Sequence, residues 1–451
     1  MTGERALRVI DHGNVGAALR RVAVPTAIAI VSDQLLGIAD TIAIGTFGTL
    51  PLAAVTAAGT IFVVLIFVSH GFVSGLSILG AQAIGANDGD RFGRLIRASV
   101  VVPMLLAFVF TAASIAYGHR AMQLYVGELG IAGIAAPYLM LRCASLIPIA
   151  IGGVAYSAFA AAGNTGFGAR LVLLINAVHI PLLLVLALGV ATHHPLGVLG
   201  AGISSLLAES AGAIYSIVEL ARHPEYRVFA GGSVDLRLAW RIAVLSAPEA
   251  LYLLLVIAPD IVIIAVLAPL GASAVAAFRV LSTVSDVTFA VPSSLGSAAQ
   301  TIIGQRFGAA DPAGAKQFDR RARRYGVAIS TLCGAVVAAA AWPLGALVTL
   351  SPVLATAAAG PLALHMLTLP LKGYAMLGLA PIRAAGDTRF SMIVGIVASS
   401  VVVPVVMVAV NVLHVGLFAV PIAWLMGWLV WCALTAVRLH RYEWSRGTLT
   451  A

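Results

Sequence analysis

The sequence predicts an all-α membrane protein of twelve transmembrane helices, arranged as two six-helix lobes related by a pseudo-two-fold axis along the membrane normal. Three observations carry this expectation: an apolar composition, a series of long apolar stretches, and a repeat that runs nearly end to end. Of 451 residues, 61% are hydrophobic and only 10% charged, whereas a soluble domain has about a quarter charged. The repeat emerges when 223 is subtracted from residue numbers in the second half. Pro248 then falls on Pro25, Gly271 on Gly48, Gln305 on Gln82, Asp311 on Asp88, Gly386 on Gly163, Thr388 on Thr165 and Pro404 on Pro181. Further on the offset is 219, with Gly416 falling on Gly197, as a longer loop beside His193 and His194 would produce.

Twelve stretches reach the length of about twenty residues that a bilayer core requires. In the first copy they lie near 20–46, 50–80, 95–118, 133–160, 168–190 and 196–221. The first is too long for a signal peptide and lacks a small-residue cleavage site, so it is expected to stay as a span. The second ends in GAQAIGAND, residues 80–88, and the third follows Arg91, Arg94 and Arg97. The fourth runs into AAGNT at 161–165, the fifth follows Arg170, and the sixth stops at Arg222. The second copy repeats the series near 240–268, 273–303, 325–349, 357–382, 390–412 and 415–437, with GQRFGAAD at 304–311 and RAAGDT at 383–388 in the matching places. Proline and glycine inside these stretches are tolerated because lipid forces the backbone to satisfy itself locally. The domain division is therefore 1–222, the N-terminal lobe, and 223–451, the C-terminal lobe with a cytoplasmic tail. An even number of spans per copy makes the repeats parallel, a typical design of secondary transporters.

Charge sets the orientation. Twenty-three of the 27 lysines and arginines gather at the two ends and in every second loop, with Arg120 alone on the opposite side. Both termini are thus expected in the cytoplasm of a multi-pass protein of the cell membrane, and the net charge of +9 needs no nucleic acid to explain it. The glycine motifs at 80–88 and 304–311 read as helix ends whose aspartates cap the next helix. There is no phosphate loop of the ATP-driven kind and no cofactor motif. Cys143, Cys333 and Cys432 stand singly, without metal-ligand spacing, so they read as small buried hydrophobes.

With these motifs in place, the chain resembles the multidrug and toxic compound extrusion family. The resemblance rests on PTAIAIVSDQLLGIADTIAIGTFG from Pro25 to Gly48, the two glycine-rich helix ends, AAGNT, RAAGDT, and APLGASAVAAF at 268–278. It spans about residues 18–440. It implies two lobes around a V-shaped central cavity and the antiport of lipophilic, often cationic, compounds. The expected partners are a small-molecule substrate, protons in preference to sodium, and the bilayer, with the chain acting as a monomer and not as an enzyme.

An ionisable side chain inside a membrane span costs several kcal/mol, by order of magnitude, so each is a candidate for function. Asp33 and Asp40 stand seven apart on the first span, hence on one face. Burial favours the neutral form of a carboxyl, which a proton carrier needs. Family resemblance places the coupling carboxylate at Asp40, fifteen residues after Pro25, and makes Pro25 a hinge. Pro248 recurs where Ile263 replaces the acid, which leaves an architectural role for both prolines open. The family's fifth-span string supplies Asn176, but Ile180 stands where its carboxylate would be. Ser205 and Glu209 on the sixth span complete the expected ion-coupling set. Loss of one carboxylate disfavours sodium, a hard cation that needs several oxygens (compare). His179 reads as a core histidine directed off the Asn176 and Ile180 face.

In the second lobe, Val256 and Lys372 occupy positions where some family members carry acids. Lys372 is expected to pair with Asp260 or Asp286, or else to attract anions in the substrate cavity. Tyr156, Tyr252, Tyr374 and Met376 are cavity candidates by location, and low aromatic content argues against a stacked-ring pocket. Arg142, His365 and Arg279 are expected to snorkel or bond between helices. The alternatives are a flippase for lipid-linked precursors, a sodium-coupled exporter and a membrane scaffold that transports nothing.

Overall fold

The computed structural model describes residues 15–190, 193–349 and 351–440, so Arg5, Arg8, Arg441, Arg446 and the tail beyond His440 lie outside the described residues. Within them are sixteen α-helices and no strand. The helices are α1 (Val15–Gly45), α2 (Thr49–Gly71), α3 (Ser74–Gly85), α4 (Gly89–Ser99), α5 (Val101–Val126), α6 (Leu129–Ala161), α7 (Gly166–Leu182) and α8 (Gly197–Ala221). They continue as α9 (Leu236–Leu267), α10 (Ala272–Gly308), α11 (Pro312–Ala339), α12 (Ala341–Thr349), α13 (Pro352–Met366), α14 (Leu369–Ala384), α15 (Thr388–Asn411) and α16 (Ala419–His440). Ten helical runs among the described residues are long and apolar enough to cross a membrane. Two further pairs, α11 with α12 bent by 70° and α13 with α14 bent by 42°, bring the number to twelve.

The duplication extends to backbone conformation. Gly48 and Gly271 precede α2 and α10 with φ of 103° and 104°, and Gly163 and Gly386 follow α6 and α14 with φ of 76° and 88°. Only glycine enters these regions without strain. The expected caps also recur: Asp88 accepts the Arg91 N–H and Asp311 the Gly314 N–H, each at 2.8 Å. These carboxylates satisfy amides that the first helical turn leaves free. Pro181 near the end of α7 has no N–H to donate, and the chain widens into a π turn at Leu183–Ala187.

Packing divides the described residues into two compact units. The first comprises residues 28–250 and the second residues 15–27 with 251–440. The divisions fall inside α1 and α9, each two residues past a proline, Pro25 or Pro248, and 223 residues apart. In the first unit, α9 begins against α2 and α3: Gly71 leaves no space for a Cβ beside Ala250, and the Gly75 N–H donates to Ser246 Oγ at 2.9 Å. Close backbone approach at small residues is the usual basis of helix packing in lipid. One core of this unit gathers Phe92, Phe159, Phe167 and Tyr226; another gathers Ile44, Phe62, Met122 and Leu139. In the second unit, Gly326 seats Leu377 and Gly373 lies against Ser330, joining α11 to α14. Leu19, Ile302, Leu377, Trp428 and Trp431 share its main core.

Candidate functional site

The first unit concentrates its polar side chains on α1, α6, α7 and α8. The Asn176 amide donates from Nδ2 to the Ser32 carbonyl at 3.0 Å, which fixes α7 against α1. Three residues on, His179 Nε2 lies 2.7 Å from Asp40 Oδ1. The imidazole is 1% exposed and the carboxylate 19%. This corrects the expectation of a core histidine with no part in the polar cluster. Residues three apart on a helix are about 60° apart, so His179 shares the Asn176 side that meets α1, whereas Ile180 is 42% exposed.

Around this pair stand Asp33 on α1, Tyr138 and Arg142 on α6, and Glu209 on α8. Arg142 interacts electrostatically with Asp33 and Glu209, and Glu209 in turn with His179. The Arg142 guanidinium lies over the Phe62 ring, 4.0 Å from its centroid. It thus joins α6 to α2 through a ring face and is the cation of an acid-rich cluster. Ser205 is buried and returns its hydroxyl to the Ala201 carbonyl at 3.1 Å. Asn176 Oδ1 is buried and accepts no hydrogen bond among the described residues.

The second unit holds a cavity of about 130 Å³ lined from α9, α10, α13, α14, α15 and α16. Lys372, 4% exposed, donates to Ser285 Oγ at 3.1 Å and lies 3.1 Å from His365 Nε2. Ser285 Oγ and His365 Nε2 are 3.0 Å apart, which closes a triangle. The expected ion pair is not made: Asp260 and Asp286 line the cavity and interact electrostatically with Lys372, but neither bonds to it among the described residues. The lysine reaches α10 at Ser285, and Asp286, the next residue, is turned about 100° away and exposed. Arg279 is likewise exposed on α10.

Aromatic rings line this cavity, contrary to the reading from composition. Trp424, Trp428 and Trp431 stand on one face of α16, with adjacent centroids 6.2 and 5.1 Å apart. The Lys372 ammonium is 5.8 Å from the rings of both Phe289 and Trp428. Tyr252 joins them, edge-on to Trp431 at 5.8 Å. The other candidates lie elsewhere: Tyr156 packs against Gly168, Met376 is buried with its backbone against Gly296, and Tyr374 is half-buried on α14 outside the cavity lining. The tryptophan face was readable from the spacing of four and three residues on the last span.

An internally duplicated chain of ten to twelve membrane-spanning helices, with ionisable groups held inside each unit, has the construction of a membrane transporter. The family model described as MatE matches residues 25–185 and again 248–408, and the chain belongs to that family, the multidrug and toxic compound extrusion transporters. It is 26% identical over 341 residues to a probable multidrug resistance protein NorM from Aromatoleum aromaticum, covering 74% of this chain and 73% of that protein. It is 25% identical over 347 residues to a FAD transporter from Shewanella oneidensis, covering 75% of each. Its fold matches an outward-facing multidrug resistance MATE family transporter of the MOP superfamily with a TM-score of 0.87, at 19% identity over 100% of this chain and 99% of the other.

Proposed function

We propose that this chain exports small lipophilic organic compounds, cationic ones among them, in exchange for protons. The observation that carries the proposal is Asp40, a carboxylate within a membrane-spanning helix and hydrogen-bonded to a buried imidazole. Proton uptake there is the event that would drive the repeats 1–222 and 223–451 between inward-open and outward-open states, with Pro25 allowing α1 to bend. The multidrug resistance names of the relatives support the substrate class, and the charge pattern supports cytoplasmic termini. Vesicles containing the protein should export ethidium, a lipophilic cation, when given a pH gradient and not when given a sodium gradient alone. Asp40→Asn should lose this export by at least an order of magnitude. Undiminished export by Asp40→Asn would place coupling elsewhere.

A second reading of the substrate rests on Lys372. An ammonium turned toward neutral acceptors in an aromatic-lined cavity suits the anionic end of a planar compound, and one relative carries the name FAD transporter. On this reading Lys372→Ala loses export of anionic aromatic dyes while ethidium export persists. Loss of ethidium export alone would assign the cavity to cations.

A further inference from the structure

We infer that His179 shares the exchanged proton with Asp40 and takes the place of the carboxylate missing at Ile180. The inference rests on the proton-coupled reading above and adds a second proton-holding group to it. The geometry points there because Nε2 and Oδ1 stand 2.7 Å apart, the range of a charge-assisted hydrogen bond. The two groups belong to different helices, α1 and α7, whose register is fixed separately by the Asn176 bond to the Ser32 carbonyl. Imidazole is the side chain suited to gaining and losing a proton in the physiological range.

The charged and titratable groups that interact with the pair are Tyr138 on α6, with Asp40, and Glu209 on α8, with His179; behind them Arg142 on α6 interacts with Tyr138, Glu209 and Asp33. In the proton-poor state the Nε2–H donates to the Asp40 carboxylate, and the pair is anionic. Uptake of one proton makes it neutral, either as imidazolium with carboxylate or as imidazole with carboxylic acid. Release of the same proton restores the anion, and no bond other than N–H or O–H changes.

The arrangement also disfavours sodium. Asp40 Oδ1 is engaged by the imidazole, which leaves a hard cation one oxygen fewer in a place that already lacks the carboxylate at Ile180 (compare). The protonated imidazole would moreover repel it.

Two measurements test the inference. The first requires no substrate: acid–base titration of purified wild-type protein and of His179→Gln, which keeps a donor for Asp40 but holds no proton. Wild type should bind about one proton more than the variant between about pH 5 and 9. No difference would overturn the inference, because a histidine that only fills space never titrates. His179→Asn, a shorter amide, serves the same titration should the glutamine variant not purify as a monodisperse protein.

The second uses ethidium in proteoliposomes. His179→Gln should keep equilibrium exchange of ethidium, lose at least ten-fold in pH-driven accumulation, and flatten its pH profile. A wild-type pH profile in this variant, or a sodium gradient driving wild-type transport, would overturn the inference. Absence of ethidium exchange in wild type would fail the exporter reading instead, and the titration would still decide the role of His179.

Discussion

Asp40 and His179 are 139 residues apart in the chain, and the reasons one was legible and the other was not are physical. A carboxylate in an apolar span announces itself by its desolvation cost. A histidine in a core does not, and its direction depends on which face of α7 meets α1. That face is set by Asn176, whose amide bonds to a backbone carbonyl that carries no mark in the sequence. The same holds for Lys372, whose acidic partners were inferred from charge alone while the structure gives it Ser285 and His365. Backbone conformation yields a separate prediction at this scale. A Cβ added to Gly48 or Gly271 would meet nothing within 4 Å, so the cost of Ala at either position comes from φ near 103° alone. Gly48→Ala and Gly271→Ala should each lose about 1–3 kcal/mol, readable as lowered thermal stability in detergent. An unchanged Tm in both would contradict the conformational argument.

Among the elements, the two halves keep the same framework with different chemistry. Arg142 lies over Phe62 in the first unit; 223 residues on from each, His365 bonds to Ser285 in the second. The pair of helix positions is preserved, but a stacked cation has been exchanged for a hydroxyl–imidazole bond. At the offset of 219, Ser205 and Glu209 correspond to Trp424 and Trp428, so the face that carries acid and hydroxyl in one unit carries indoles in the other. Helix existence and ends were readable because glycine, proline and aspartate punctuate them. The bends between α11 and α12 and between α13 and α14 were not, since the hydropathy of each stretch continues through the break. The paired caps offer a direct comparison. Asp88→Ala and Asp311→Ala should each cost about 1 kcal/mol, and a loss confined to one would show that the duplicated caps no longer do the same work.

For the whole molecule, the repeat recurs in how the described residues pack. Both divisions between compact units lie two residues beyond a paired proline, although Asp40 follows only the first of these prolines and Ile263 the second. Each proline thus marks a place where its helix can bend, and only the bend in α1 is followed by a carboxylate. Orientation is testable at this scale too. Glu128 and Gly232 are both exposed, between α5 and α6 and between α8 and α9 respectively. In intact cells, a membrane-impermeant thiol reagent should label Glu128→Cys and leave Gly232→Cys unlabelled until the cells are opened. The reverse pattern would invert the proposed topology.

On the proposed cycle, substrate and proton move in opposite directions and both movements need Asp40. The most direct measurement loads proteoliposomes with a pH-sensitive dye and imposes an ethidium gradient with no ion gradient. Ethidium moving one way should drive protons the other way in wild type, with no proton movement in Asp40→Asn. Ethidium flux without proton movement in wild type, or equal proton movement in Asp40→Asn, would contradict it.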